Sequence, residues 1–155
     1  MRRREREITD SEVIEEILRK SEVCRIAMID QDIPYIVPLN YGYKGNALYI
    51  HSAPEGRKME ILKLNNHVCF EIEYSSEIIR EGKACDWGTR YRSLIGYGFA
   101  EIITDTEQKE EGLDIIMSHN GKLDTASYSN SLVESLVIIK IVIDSISGKQ
   151  SGDWN

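Results

Sequence analysis

Between Thr9 and Leu18 the apolar residues Val13, Ile14, Ile17 and Leu18 recur at helical spacing, and Thr9-Asp10-Ser11-Glu12 matches the S/T-x-x-E capping box. In that box the hydroxyl and the carboxylate satisfy backbone donors that every helix start leaves open. The pattern predicts a first helix near residues 10–20. The period then shortens. Val23–Ile29 is nearly all apolar, Asp30-Gln31-Asp32 reads as a turn, Tyr35–Tyr43 is rich in aromatic and β-branched residues, and Lys44-Gly45-Asn46 punctuates it before Ala47–His51. Pro34 and Pro38 cannot donate ladder hydrogen bonds, so the second strand belongs at an edge or is irregular. Pro54-Glu55-Gly56 leads into a second helix that carries Met59, Ile61 and Leu62 inward and stops near Asn65-Asn66.

Val68–Tyr74 and Ser93–Ile103 read as further strands, and the segment between them, with Gly82, Asp86 and Gly88, has no clear period. Glu107–Met117 predicts a third helix with Leu113, Ile116 and Met117 on its core side; the polar stretch Ser118–Ser131 reads as an exposed loop. Leu136–Ile143 is too continuously β-branched to be half solvated, which puts it in a barrel wall or at a subunit interface. Six or so strands joined by short turns, with helices as caps, predict a mainly β fold: a six-stranded antiparallel split β-barrel in place of a Rossmann sheet. One domain spans residues 1–155, with tails at 1–8 and 148–155.

Charge narrows the function classes. With 19 Lys+Arg against 26 Asp+Glu, the net charge of -7 argues against general nucleic-acid binding, which needs a dense basic face. The short basic start Arg2-Arg3-Arg4 reads as a solvated tail. No apolar run approaches a membrane span and no signal-peptide pattern opens the chain, so the expected location is the cytoplasm. Cys24, Cys69 and Cys85 lack CxxC spacing and read as reduced thiols, Cys85 as a spectator. His51, His67 and His119 lie far apart without HExxH or Cys/His spacing, so no metal site is expected. Trp87 and Trp154 could close over a ligand or pack at an interface; Trp154 reads as a docking anchor.

One segment carries chemistry. In Leu48-Tyr49-Ile50-His51-Ser52-Ala53-Pro54-Glu55-Gly56-Arg57-Lys58-Met59 a strand ends at His51, a short turn follows, and two adjacent cations open a helix. A helix N-terminus carries partial positive charge, so Arg57 and Lys58 are unfavourable there unless an anion is to be received. Free amides, the small Gly56, the Ser52 hydroxyl and two cations together suit a phosphate. The plainer alternative is a solvated helix face.

This segment resembles the phosphate-binding motif of the pyridoxamine-phosphate-oxidase-like superfamily of FMN proteins, most of all its Nim-type (5-nitroimidazole resistance) branch. Val37-Pro38-Leu39-Asn40-Tyr41-Gly42-Tyr43 is similar to the strand beside the flavin ring, and Tyr91-Arg92-Ser93-Leu94-Ile95-Gly96-Tyr97-Gly98-Phe99-Ala100-Glu101 to another strand of that branch. The resemblance covers roughly residues 8–147. It implies a split-barrel homodimer with FMN in clefts at the subunit interface. By position, Arg57 and Lys58 would bind phosphate with Ser52 assisting; Pro38, Leu39, Asn40 and Tyr41 would line the isoalloxazine, partly through backbone groups. Ile50 and His51 would flank the ring and ribityl chain, and Ser93 would approach the flavin from its strand, either within the subunit or across the interface. Two departures stand out: Gly56 replaces the hydroxyl residue that commonly precedes the Arg-Lys pair in pyridoxamine phosphate oxidases, and their basic C-terminal substrate motif is missing. Oxidation of pyridoxamine phosphate is therefore not expected.

The resulting expectation is an FMN-dependent oxidoreductase that reduces a small acceptor such as a nitroaromatic, with His51 delivering a proton. No GxGxxG fingerprint appears, so a nicotinamide donor would visit the open flavin face transiently. The alternative is a flavin, heme or deazaflavin binding module with little turnover.

Overall fold

The computed structural model describes residues 3–80, 82–83, 85, 87–121 and 127–154. A single 3-10 turn at Arg4–Arg6 precedes β1 (Glu7–Ile8), α1 (Ser11–Lys20), β2 (Val23–Asp30), β3 (Ile33–Asn40), β4 (Gly42–Lys44) and β5 (Ala47–Ser52). Then come α2 (Arg57–Leu64), β6 (His67–Ile79), β7 (Gly88–Ile103), α3 (Thr106–His119), α4 (Asn130–Glu134) and β8 (Val137–Ser151). The strands form one eight-stranded sheet in the order β3-β2-β6-β7-β8-β5-β4, with β1 paired to β8. Every pairing is antiparallel.

The two ends of this sheet, β3 and β4, are consecutive in the chain and separated only by Tyr41. Neighbouring Cα atoms are about 3.8 Å apart, so the sheet must roll until its first and last strands approach each other. That is the geometry of a split barrel left open at one seam, since no ladder pairs β3 with β4. Tyr41 holds the crossing: its ring is fully buried and its hydroxyl donates to the Leu18 carbonyl at 2.8 Å. Gly42 follows because a Cβ there would lie 2.7 Å from the Ile115 backbone of α3.

The barrel interior is filled by Ile26, Met28, Leu48, Ile50, Phe70, Ile72, Leu94, Ile139 and Ile141, capped by Ile17 and Leu18 of α1 and by Met59, Ile61 and Leu62 of α2. A smaller cluster (Leu113, Ile116, Val133, Leu136, Ile138) lies under α3 and α4. The β8 strand is therefore a barrel wall covered on both faces, which is why its first half shows no polar alternation.

Several expectations need correction. The sheet has eight strands where six were expected, partly because the Tyr35–Tyr43 stretch breaks at Tyr41 into two edge strands. Asp10, not Thr9, caps α1, its carboxylate accepting from the Glu12 amide at 2.8 Å. The polar stretch after α3 ends in the short helix α4, and residues 122–126 within it, like Asp86, lie outside the described residues. Residues 148–151, expected as tail, continue β8, because Glu7 and Ile8 add a short strand opposite Lys149 and Gly148. The proline reading stands: β3 pairs with β2 alone and is an edge.

Candidate functional site

The β5 strand ends at Ser52 and the chain turns through Ala53-Pro54-Glu55 to Gly56, which starts α2 at φ +106. That conformation is open to glycine and strained for any residue with a Cβ, so the glycine that departs from the hydroxyl residue of pyridoxamine phosphate oxidases suits the backbone adopted here. Gly56 also provides no side-chain cap, and among the described residues no side chain accepts from the amides of the first turn of α2.

Two cations flank this mouth in different states. Arg57 donates through Nε to Asp30 Oδ2 at 2.8 Å, and its guanidinium carbon lies 4.6 Å from the centroid of the Tyr35 ring. Lys58 is half-buried, and among the described residues no carboxylate pairs with it; burial alone pushes its pKa below the usual lysine value. A partly desolvated ammonium at the positive end of a helix is a doubly unfavourable arrangement when no anion accompanies it. It becomes favourable once an anion arrives.

The other expected residues are distributed as follows. Ser52 is buried, and its hydroxyl donates to the Ala53 carbonyl at 2.9 Å. Next to it on β5, His51 is exposed opposite Ile138 of β8, whereas Ile50 is fully buried and belongs to the core. Pro38 and Asn40 are exposed on β3, the Asn40 amide donating to the Glu22 carbonyl at 3.2 Å; Leu39 faces inward, half-buried against Cys24. The Tyr41 side chain is committed to the core and burial raises the pKa of its phenol; the residue is fully buried and its carbonyl accepts from the Asn120 amide at 3.0 Å, so within this chain Tyr41 offers no surface to a ligand. Ser93 is half-buried on β7 between Glu73 and Lys149.

Four of these residues make one cluster, from which Asn40 and Ser93 are set apart. Gly56, Arg57, Lys58 and Ser52 share the mouth of α2. Tyr35, under Arg57, and Asn40 are five positions apart on one strand, about 17 Å at ~3.3 Å per residue. Ser93 lies three strands from Asn40 through β2 and β6, about 14 Å across at ~4.8 Å per strand. Within one chain, Ser93 does not reach the Arg57-Lys58 mouth.

Residues that sequence reasoning missed are Asp30 and Tyr35. Asp30 read only as a turn residue and Tyr35 only as a strand aromatic, since their partner Arg57 lies far along the chain. The outer face of β3, β2, β6 and β7 was also not anticipated. Ile36 (59% exposed), Ile29, Ile95, Tyr97 (56%) and Phe99 project from it. A cavity of about 330 Å³ opens there among Ile29, Pro34, His67, Cys69, Tyr97 and Phe99. The available signal was that Leu94–Ala100 is apolar or glycine at every position, not at alternate ones.

The family model for pyridoxamine 5'-phosphate oxidase matches residues 10–150. A candidate 5-nitroimidazole antibiotic resistance protein of Bacteroides thetaiotaomicron is 36% identical, over 92% of this chain and 85% of that one, with a TM-score of 0.82. The flavocytochrome Anf3 of Azotobacter vinelandii shares the fold at 19% identity and a TM-score of 0.84, over 99% of this chain and 72% of that one. An uncharacterized protein of Rhizobium meliloti is 34% identical over 79 residues, so the match spans about half of this chain and half the length of that curated relative.

Proposed function

The chain belongs to the pyridoxamine 5'-phosphate oxidase family, in its 5-nitroimidazole-resistance-like branch, and from that premise we propose that it is an FMN-dependent oxidoreductase acting on a small acceptor such as a nitroaromatic. The observation that carries the reading is Lys58: a half-buried ammonium, its pKa lowered by burial, set beside Arg57 at an uncapped helix start. A phosphate monoester of about -1.5 to -2 charge supplies what that mouth lacks. Arg57 and Lys58 would hold it with charge-assisted hydrogen bonds, and the first-turn amides of α2 would complete the shell.

FMN supplies the two-electron chemistry; the protein binds and orients it. The edge strand from Tyr35 to Asn40 offers a track of suitable length beside the mouth, with one side that no strand pairs among the described residues. His51, exposed at the end of β5, is the group assigned to proton delivery. We assign Ser93 to the site of a second copy, because it is remote from the phosphate mouth of its own chain. The exposed apolar face of Ile29, Ile36, Tyr97 and Phe99 supports such a homodimer, which sedimentation at twice the chain mass would test.

The decisive experiment is spectroscopic. The purified protein should bind FMN, lose the flavin absorption on anaerobic addition of NADH or NADPH, and recover it with a nitroimidazole, more slowly in His51→Ala. A bound flavin that neither nicotinamide reduces would instead favour a binding module, and equal affinity for FMN and riboflavin would remove Arg57 and Lys58 from the assignment.

A further inference from the structure

We propose that Asp30 and Tyr35, on the β2–β3 hairpin, are positioning residues that preset Arg57 as a phosphate receptor. The inference rests on the FMN reading above and concerns how its site is organised before the ligand arrives.

A guanidinium offers five N–H donors along three edges of a flat plate, on a long and rotamer-rich stem. Left alone at an exposed helix start, Arg57 would sample many orientations and lose that freedom on binding. Two contacts remove it in advance. Asp30 Oδ2 accepts from Nε at 2.8 Å, and the Tyr35 ring lies 4.6 Å from the guanidinium carbon. The edge bearing the terminal Nη1 and Nη2 donors makes no hydrogen bond or ion pair among the described residues. That edge is the fork suited to bidentate binding of phosphate oxygens.

The anchor is rigid for reasons of chain geometry. Asp30 ends β2 directly opposite Ile33, the first residue of β3, and Met28 pairs with Tyr35 on the inward face. The two-residue connection holds Gln31 at φ +58, in the left-handed region that a tight hairpin requires. The receptor is thus built from two elements: α2 contributes Lys58 and the free amides, and the hairpin fixes Arg57.

An exposed carboxylate beside an anion site could equally act as a competitor that the phosphate must displace. The geometry favours positioning, because Asp30 takes the Nε edge and leaves the terminal fork free. As an isolated surface ion pair, with the two side chains 51% and 34% exposed, it would contribute little to folding, so its effect should appear in ligand affinity.

The test is a titration of FMN and riboflavin against wild type, Asp30→Ala, Asp30→Asn, Asp30→Glu, Tyr35→Leu, Tyr35→Phe, Arg57→Ala and the Asp30→Ala/Arg57→Ala double variant. Asp30→Ala should weaken FMN about five- to tenfold and Tyr35→Leu about threefold, with riboflavin changed less than about twofold. Asp30→Glu and Tyr35→Phe should restore much of the loss. The double variant should bind FMN no more weakly than Arg57→Ala, because the two residues act only through that side chain. Tighter FMN binding by Asp30→Ala would identify a competitor and overturn the proposal. Parallel losses for riboflavin, or an undiminished Asp30→Ala loss in the Arg57→Ala background, would also overturn it. If Asp30→Ala does not fold, the near-isosteric Asp30→Asn serves, with an expected loss of about threefold. A wild type that does not prefer FMN to riboflavin would overturn the phosphate reading itself; a wild type that does, with Asp30 variants unchanged, would overturn only this inference.

Discussion

Two arginine–aromatic groups sit at opposite ends of the sheet, built from the same chemistry to different ends. At the mouth of α2, Arg57 lies on Tyr35 with one edge tied to Asp30, and Lys58 beside it has no carboxylate partner among the described residues. At the far end of β7, the Trp154 indole lies 4.3 Å from the Arg90 guanidinium carbon and 4.5 Å from that of Arg92. There the polar edges of Arg92 are committed, whereas Arg90 pairs with Glu77 at 3.9 Å and its buried Nε has no hydrogen-bond partner among the described residues. Arg92 donates through Nε to Gln150 at 3.0 Å and pairs with Glu16 at 3.6 Å, and its side chain is only 14% exposed. Trp154 donates to the Ser151 carbonyl at 3.0 Å, folding the chain after β8 back onto the sheet. Unspent donors alone do not separate the two groups, since Arg90 keeps one as well; the difference is the helix start beside Arg57 and Lys58, which adds its backbone field and has no side-chain cap from Gly56. The α2 mouth combines spare donors with that field; the Trp154 clamp has no helix start beside it and ties Arg92 into the fold through Gln150 and Glu16.

Removing both cations at the mouth gives the largest expected effect. Arg57→Ala/Lys58→Ala should weaken FMN by about 100-fold or more, since charge-assisted hydrogen bonds contribute ~1.5–3 kcal/mol each. Riboflavin, which lacks the phosphate, should change less than about threefold. Comparable losses for the two ligands, measured by fluorescence titration, would erase the distinction between the two ends of the molecule.

The clamp should respond in the opposite sense. Trp154→Ala removes two stacked guanidinium contacts worth about 0.5–1 kcal/mol each, together with the packing of a half-buried ring beside Tyr74. A loss of about 1–2 kcal/mol, or ~2–8 °C in the melting midpoint, is expected, with the FMN-to-riboflavin affinity ratio unchanged. A changed ratio at constant stability would show that the clamp also serves the ligand.

The same contrast explains what the sequence disclosed. Arg57 and Lys58 were legible because the signal is local: two adjacent cations at a helix start contradict the dipole rule without help from tertiary structure. Their context was not. Asp30 and Tyr35 reach Arg57 only after β2 and β3 have folded beneath α2, and turn and strand readings fit them equally well. The strands were recognised where both faces are buried, as in Val137–Ile143, and cut short where one face meets water. The second half of β8, Asp144-Ser145-Ile146-Ser147, and the end of β6, Ser75-Ser76-Glu77, are strand by pairing and polar by composition. The break at Tyr41 was hidden because an aromatic residue favours a strand, and only the Leu18 carbonyl and the α3 backbone dictate that the chain cross there.

The smallest effect tests the mouth most directly, because it concerns the cost of holding it ready. Burial lowers the Lys58 pKa below its ordinary value of 10.5, so the unfolded chain binds a proton more tightly there than the folded one does. Stability then rises with pH between the lowered value and 10.5, and at neutral pH the folded protein carries the full penalty. Lys58→Met keeps the length of the side chain and removes the charge. Without flavin the variant should be more stable than wild type by about 0.5 kcal/mol at pH 7, a small figure because the side chain is only half-buried. The advantage should shrink as pH approaches the ordinary lysine value. With saturating FMN the order should invert, since the ligand stabilises each protein in proportion to the logarithm of its affinity and wild type binds more tightly. Melting curves of both proteins at pH 7 and pH 10, with and without FMN, read out all of these signs. A variant less stable than wild type in the absence of flavin would mean that Lys58 is already satisfied by the fold, and the comparison between an open receptor and a closed clamp would fail.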